Sequence, residues 1–127
     1  MDRIELWIRQ KLSSVIATGV GKWAVSPESA LGKPIYYVKD GSVTLLLSQF
    51  GFKYEGPTPP IECRYDEVEA IKLAPLTEIV RLRGDLSKML PLGVILRGAP
   101  ERLEMQWPLR VYSNVATVLE RIVRELV

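Results

Sequence analysis

The sequence predicts an α+β domain: a partly open antiparallel β-barrel closed by a C-terminal helix, with an additional helix at the N-terminus. Three observations carry this. Between residues 32 and 109 the chain is punctuated every eight to twelve positions by Gly, Pro or Asp-Gly, the spacing of short strands joined by tight turns. Residues 113–126 then contain no Gly or Pro and place apolar side chains at helical spacing. Residues 2–16 carry a second stripe of that kind. A chain of 127 residues can bury a core without disulfide or metal staples. The whole of 1–127 therefore reads as one domain: a helix over 1–18, a β-rich body over 23–110 and a helix over 113–127.

At the N-terminus, Asp2 is placed to cap the first helix, and Glu5 three residues later completes a capping-box pattern. Ile4, Trp7, Ile8, Leu12 and Val15 form the apolar stripe, with Arg3, Arg9, Gln10 and Lys11 on the other side. Thr18-Gly19-Val20-Gly21 ends the helix. Gly19-Val20-Gly21-Lys22 is not a phosphate loop, because the earlier Gly and the later Ser/Thr that such a loop needs are Ile16 and Trp23.

In the body, Lys39-Asp40-Gly41 lies between apolar runs at 35–38 and 42–48, a strong hairpin signal. Residues 50–54 continue as extended chain with aromatics alternating to one face. The loop 55–60 holds three prolines, which cannot sit in a ladder; it reads first as a connector and second as an exposed recognition loop. Residues 61–65 form a strand, 66–68 a polar turn and 69–73 a further strand. Residues 79–83 alternate, Val80 and Leu82 one way and Arg81 and Arg83 the other, which predicts a strand. Residues 93–97 read as a buried strand and 98–101 as a tight turn. Over 102–107, Leu103, Met105 and Trp107 alternate with Arg102, Glu104 and Gln106, and Pro108 ends the strand. Ser113 or Asn114 is expected to cap the last helix. Its stripe is Val115, Val118, Leu119, Ile122, Val123 and Leu126.

Composition narrows the chemistry. Seventeen Lys and Arg against fifteen Asp and Glu leave a net charge of +2, which argues against nucleic acid, since that partner needs a dense basic face. The chain has no histidine, the side chain most readily used for proton transfer near neutral pH. The acidic residues Asp66, Glu67 and Glu69 read as solvated charges. The lone Cys63 reads as a small core residue. No catalytic residue, metal or cofactor is therefore expected. The charged N-terminus and the short apolar runs match neither a signal peptide nor a membrane span, so a cytoplasmic location is expected.

One set of charges stands out. Arg81, Arg83, Lys88 and Arg97 have a single acid, Asp85, between the first and the last. On one sheet face they would make a positive surface for an acidic partner. Arg83-Gly84-Asp85 matches an integrin-type tripeptide in letters alone, with no use inside a cell.

The stretch Ile61-Glu62-Cys63-Arg64-Tyr65-Asp66-Glu67-Val68-Glu69-Ala70-Ile71-Lys72-Leu73 resembles the middle of a pleckstrin-homology-like domain of the bacterial or GRAM type. A strand ending in an aromatic, a one-turn polar segment and a Val68–Ile71 step into the next strand carry the likeness. Two late strands leading into a C-terminal helix extend it over residues 23–127. The resemblance implies a scaffold that binds proteins or lipid headgroups without catalysis. The loop Lys39-Asp40-Gly41-Ser42 lacks the basic cluster that lipid-binding members use there. The expected function is protein–protein binding, as a small cytoplasmic adaptor or an inhibitor of a partner protein. The alternative is peripheral binding of anionic membrane lipid through Arg81, Arg83, Lys88 and Arg97.

Overall fold

Asp2 does cap the first helix, α1 (Arg3–Ala17): its carboxylate accepts the Glu5 N–H at 2.8 Å. The computed structural model of the chain describes residues 2–82, 88–99 and 101–127. The capping box is not closed, because the Glu5 carboxylate turns inward and accepts from Arg9 at 2.9 Å and Lys33 at 3.2 Å. The bond from Arg9, with support from Lys33, holds that carboxyl below its ordinary pKa although burial opposes this. Ile8 and Leu12 are buried, so the apolar stripe of α1 packs within its own chain.

Among the described residues eight strands follow in two antiparallel sheets. The first sheet runs in sequence order through β1 (Lys22–Trp23), β2 (Pro34–Asp40), β3 (Val43–Ser48), β4 (Gly51–Glu55) and β5 (Ile61–Arg64). The Asp-Gly signal makes the expected hairpin, with Asp40 opposite Val43 and Gly41 at a φ of 63°. Phe52 and Tyr54 point inward as the alternation requires. Phe50 departs from it: it sits in the bend before β4, 43% exposed, with the Arg64 guanidinium 5.4 Å from its ring centre. After a one-turn 3₁₀ segment, Tyr65–Glu67, the second sheet takes the order β6 (Val68–Lys72), β7 (Met89–Leu96), β8 (Arg102–Pro108).

Residues 79–82 do not form the expected strand, and Arg83, the last residue of that expectation, lies outside the described residues. Leu76–Leu82 is a helix, α2, entered from Pro75, whose carbonyl accepts the Ile79 N–H at 3.2 Å. Over five residues an alternating pattern and a helical one overlap, and the segment after Pro75 takes the helical one. Val80, expected to be buried, is 53% exposed, while Ile79 packs against the core.

Strand β7 begins earlier than expected and runs through Pro91. The missing N–H is tolerated for a reason visible in the register. Pro91 stands opposite Gln106, whose own N–H points away to Tyr54, and β6 ends at Lys72 opposite Gly93. The proline nitrogen therefore faces no strand. The last helix, α3 (Leu109–Arg121), starts one turn before the expected cap. Pro108, in extended conformation, both ends β8 and opens the helix, so Ser113 and Asn114 lie inside it. Its final turn, Ile122–Leu126, is π-helical. Val111, Tyr112, Val115, Ala116, Val118, Leu119 and Ile122 are buried in a core shared with both sheets.

The 55–60 loop connects β4 to β5 and ties the sheets together. The Tyr54 hydroxyl accepts the Gln106 N–H at 3.0 Å and lies 3.0 Å from the Thr58 hydroxyl, which donates to the Glu104 carbonyl at 2.6 Å. These hydroxyls satisfy the outer edge of β8 where a strand would otherwise be needed. Tyr54→Phe keeps the ring but orphans the Gln106 N–H. It is expected to cost about 1–3 kcal/mol, measured by urea unfolding, with faster amide exchange at Gln106.

Candidate functional site

The chain leaving β6 passes over α3. The Tyr112 hydroxyl accepts the Ala74 N–H at 2.6 Å, which pins Leu73 and Ala74 beside the helix. One turn on, Ala116 is too small to fill the space between α3 and Ile79 of α2. The result is a groove of about 350 Å³. Tyr112, Ala74 and Ala116 are buried and form its floor, while Leu73, 53% exposed, and Thr117 form its rim. The Glu120 carboxylate at the far end already receives Arg124 at 2.6 Å.

The groove adjoins a strand edge. Strand β6 is at the end of its sheet, with β7 as its one strand partner among the described residues. The other edge of a terminal strand offers backbone donors and acceptors to an added chain. A larger cavity of about 440 Å³ lies between the start of α1 and the final turn, lined by Asp2, Arg3, Ile4, Gln49, Phe50 and Leu126. Its polar groups are already engaged. Asp2 caps α1 and accepts from Gln49 at 2.6 Å, and Arg3 donates to the Glu125 carbonyl at 3.3 Å. The smaller groove is the better site because its rim begins at Leu73, the residue after β6, a terminal strand among the described residues.

The four cations singled out from sequence do not share one sheet face. Arg81 lies on α2, and Arg83 falls outside the described residues. Lys88 precedes β7, where its carbonyl accepts the Leu109 N–H. Arg97 follows β7 and donates to the carbonyls of Glu67 and Asp66. Those two residues therefore stand at opposite ends of an eight-residue strand, roughly 25 Å long.

Cys63 is buried on the inner face of β5, where burial, with the Glu67 charge adding to it, pushes its thiol up to about 12. It is a weak nucleophile at neutral pH. No three His, Cys, Asp or Glu side chains among the described residues are grouped to hold a metal ion, and no helix among them is long and apolar enough to cross a membrane.

Sequence reasoning missed the groove for two reasons. Leu73 reads as a core residue in phase with Ile71, and Tyr112 falls before the expected helix start. The one signal was the pair Ala116-Thr117, small residues within an otherwise bulky helix. Comparison with protein-family models, with curated proteins and with solved structures gives no match.

Proposed function

We propose that this chain is a pleckstrin-homology-like, non-catalytic protein-binding module. It takes an extended segment of a partner protein along the open edge of β6, with an apolar side chain seated in the groove between β6, α2 and α3. Two antiparallel sheets followed by a helix that packs into their common core support the partly open barrel that the resemblance implied. The observation that carries the binding mode is that an apolar groove floored by Ala74, Tyr112 and Ala116 opens directly after the end of β6, a strand with β7 as its one strand partner among the described residues. Backbone pairing supplies affinity in such an arrangement, and the pocket supplies choice of side chain. The module works inside the cell as an adaptor or as an inhibitor of its partner. Arg81 on α2 and Lys88 and Arg97 at opposite ends of β7 favour the protein reading over the lipid one.

Selection from a random displayed-peptide library on the immobilised protein tests this. The selected peptides are expected to share one large apolar position and to shift the backbone amide resonances of β6. Leu73→Glu and Thr117→Trp, both at exposed positions, should weaken binding of those peptides at least about tenfold with the fold retained. Peptides that bind both variants as tightly as the native chain would place the recognition surface elsewhere.

A further inference from the structure

The outer face of the first sheet carries a row of side chains in strict register across all five strands. Lys22 pairs with Tyr37, Tyr37 with Leu46, Leu46 with Lys53 and Lys53 with Glu62. A second row, offset along the strands, is Lys39, Thr44 and Glu55. One end of this face is closed, because Leu31 packs over Gly51, where a Cβ would meet its side chain. Ser26 stands beside the middle of the two rows, against Tyr37, Leu46 and Glu55; Tyr37 and Leu46 are half-buried and the charges exposed. Val25, 95% exposed, stands beside Lys22 and Tyr37.

The first row has Lys22 at its β1 end and Glu62 at its β5 end, with Lys53 on β4, and the second is positive on β2 at Lys39 and negative on β4 at Glu55. A two-fold axis running along β3 through Leu46 would exchange β2 with β4 and β1 with β5 while leaving each row at its own height. Two copies facing one another about that axis bring Leu46 against Leu46 and Thr44 against Thr44. Lys39 then meets Glu55, Lys22 meets Glu62, and Tyr37 meets the stem and ammonium of Lys53. Neither charged pairing is like-signed. Rotation about the perpendicular in-plane axis through the first row would instead set Lys22 against Lys22 and Lys53 against Lys53.

We propose that this face is the interface of a symmetric homodimer, built by self-complementary rows around Leu46. Aligned sheets cross at about 30°. The outermost pair, Lys22 with Glu62, lies two strand spacings, about 9.5 Å, from the axis, a displacement that such long side chains span. Within one copy, Lys22 rests over the Tyr37 ring at 5.6 Å and Lys53 lies 3.7 Å from Glu55, contacts loose enough to be shared. Few apolar side chains meet, so the interface lacks the apolar core of a permanent dimer. The dimer is accordingly weak and depends on concentration.

Sedimentation equilibrium on the full chain tests the proposal. The weight-average mass should climb from the 14.3 kDa of one chain toward twice that between micromolar and millimolar concentration. Lys22→Glu and Glu62→Lys each set like charges opposite one another twice in the dimer, and each should hold the mass at that of a single chain. Mixed in equal amounts, the two variants restore both opposite-charge pairs, and the mass should rise again. A native chain that stays monomeric to millimolar concentration overturns the proposal. So does a dimer that both charge variants leave intact, or a mixture that fails to recover what each variant lost.

Discussion

Leu119→Ala is expected to lower the unfolding free energy by about 2–5 kcal/mol, the largest single-residue effect anticipated outside the aromatic core. Leu119 is 0% exposed and belongs to the one core that joins both sheets to α3. Truncating it leaves a cavity bounded by strands and helix alike, and strands held by ladders cannot collapse into it. Total stability for a domain of this size is commonly about 5–15 kcal/mol, so the loss is a large share of the whole. Urea unfolding followed by tryptophan fluorescence measures it, with Thr117→Ala, at an exposed position of the same helix, as the control near zero. A Leu119→Ala midpoint equal to that of the native chain would mean that α3 is not docked as described. A chain ending at Pro108, which lacks the whole helix, should not unfold cooperatively at all.

Removal of residues 1–18 is expected to leave an aggregated or loosely packed product. Ile8 and Leu12 of α1 are buried, each worth about 1.5–3 kcal/mol in transfer from water. Polar contacts fix how the helix sits. The Trp7 indole N–H donates to the Val118 carbonyl at 3.3 Å, and the Arg121 guanidinium lies 4.2 Å from the Trp7 ring centre. Lys33 reaches Glu5 from the loop before β2, and Gln49 reaches Asp2 from the bend after β3. The helix thus bridges the first sheet and α3, and its loss uncovers both. Light scattering and thermal unfolding of the shortened chain decide the matter. A monomer that melts cooperatively within a few degrees of the full chain would show that α1 is dispensable to the fold.

Elements announced by long or chemically distinctive patterns were legible from residues alone. Asp2 and fifteen residues of helical spacing define α1. Asp40-Gly41 defines the β2–β3 hairpin, and the alternation of Leu103, Met105 and Trp107 defines β8. The candidate sites were not legible, because each is made of neighbours distant in sequence. The groove needs Leu73 beside Ala116, and the charged rows need five strands in one register. For the basic residues the structure revises one premise, the strand placement of Arg81. Alternation over five residues placed Arg81 on a strand, and it lies on α2, while Arg83 is outside the described residues.

By itself, then, the sequence determined that this chain is α+β, where most of its strands run, and that helices stand at both ends. Those outcomes rest on side-chain periodicity and turn chemistry, which act within a few residues. Tertiary structure decided the state of 76–82, the start of α3 at Leu109 and the strand state of Pro91. Each was a near-balanced local choice, resolved by what lay across from it. A seven-residue segment holds too few repeats to separate a period of 2 from one of 3.6. Proline is admissible in β7 only because β6 stops short of it. Which faces stay open to a partner was settled last, by the packing of α1, α2 and α3 over some surfaces and not others.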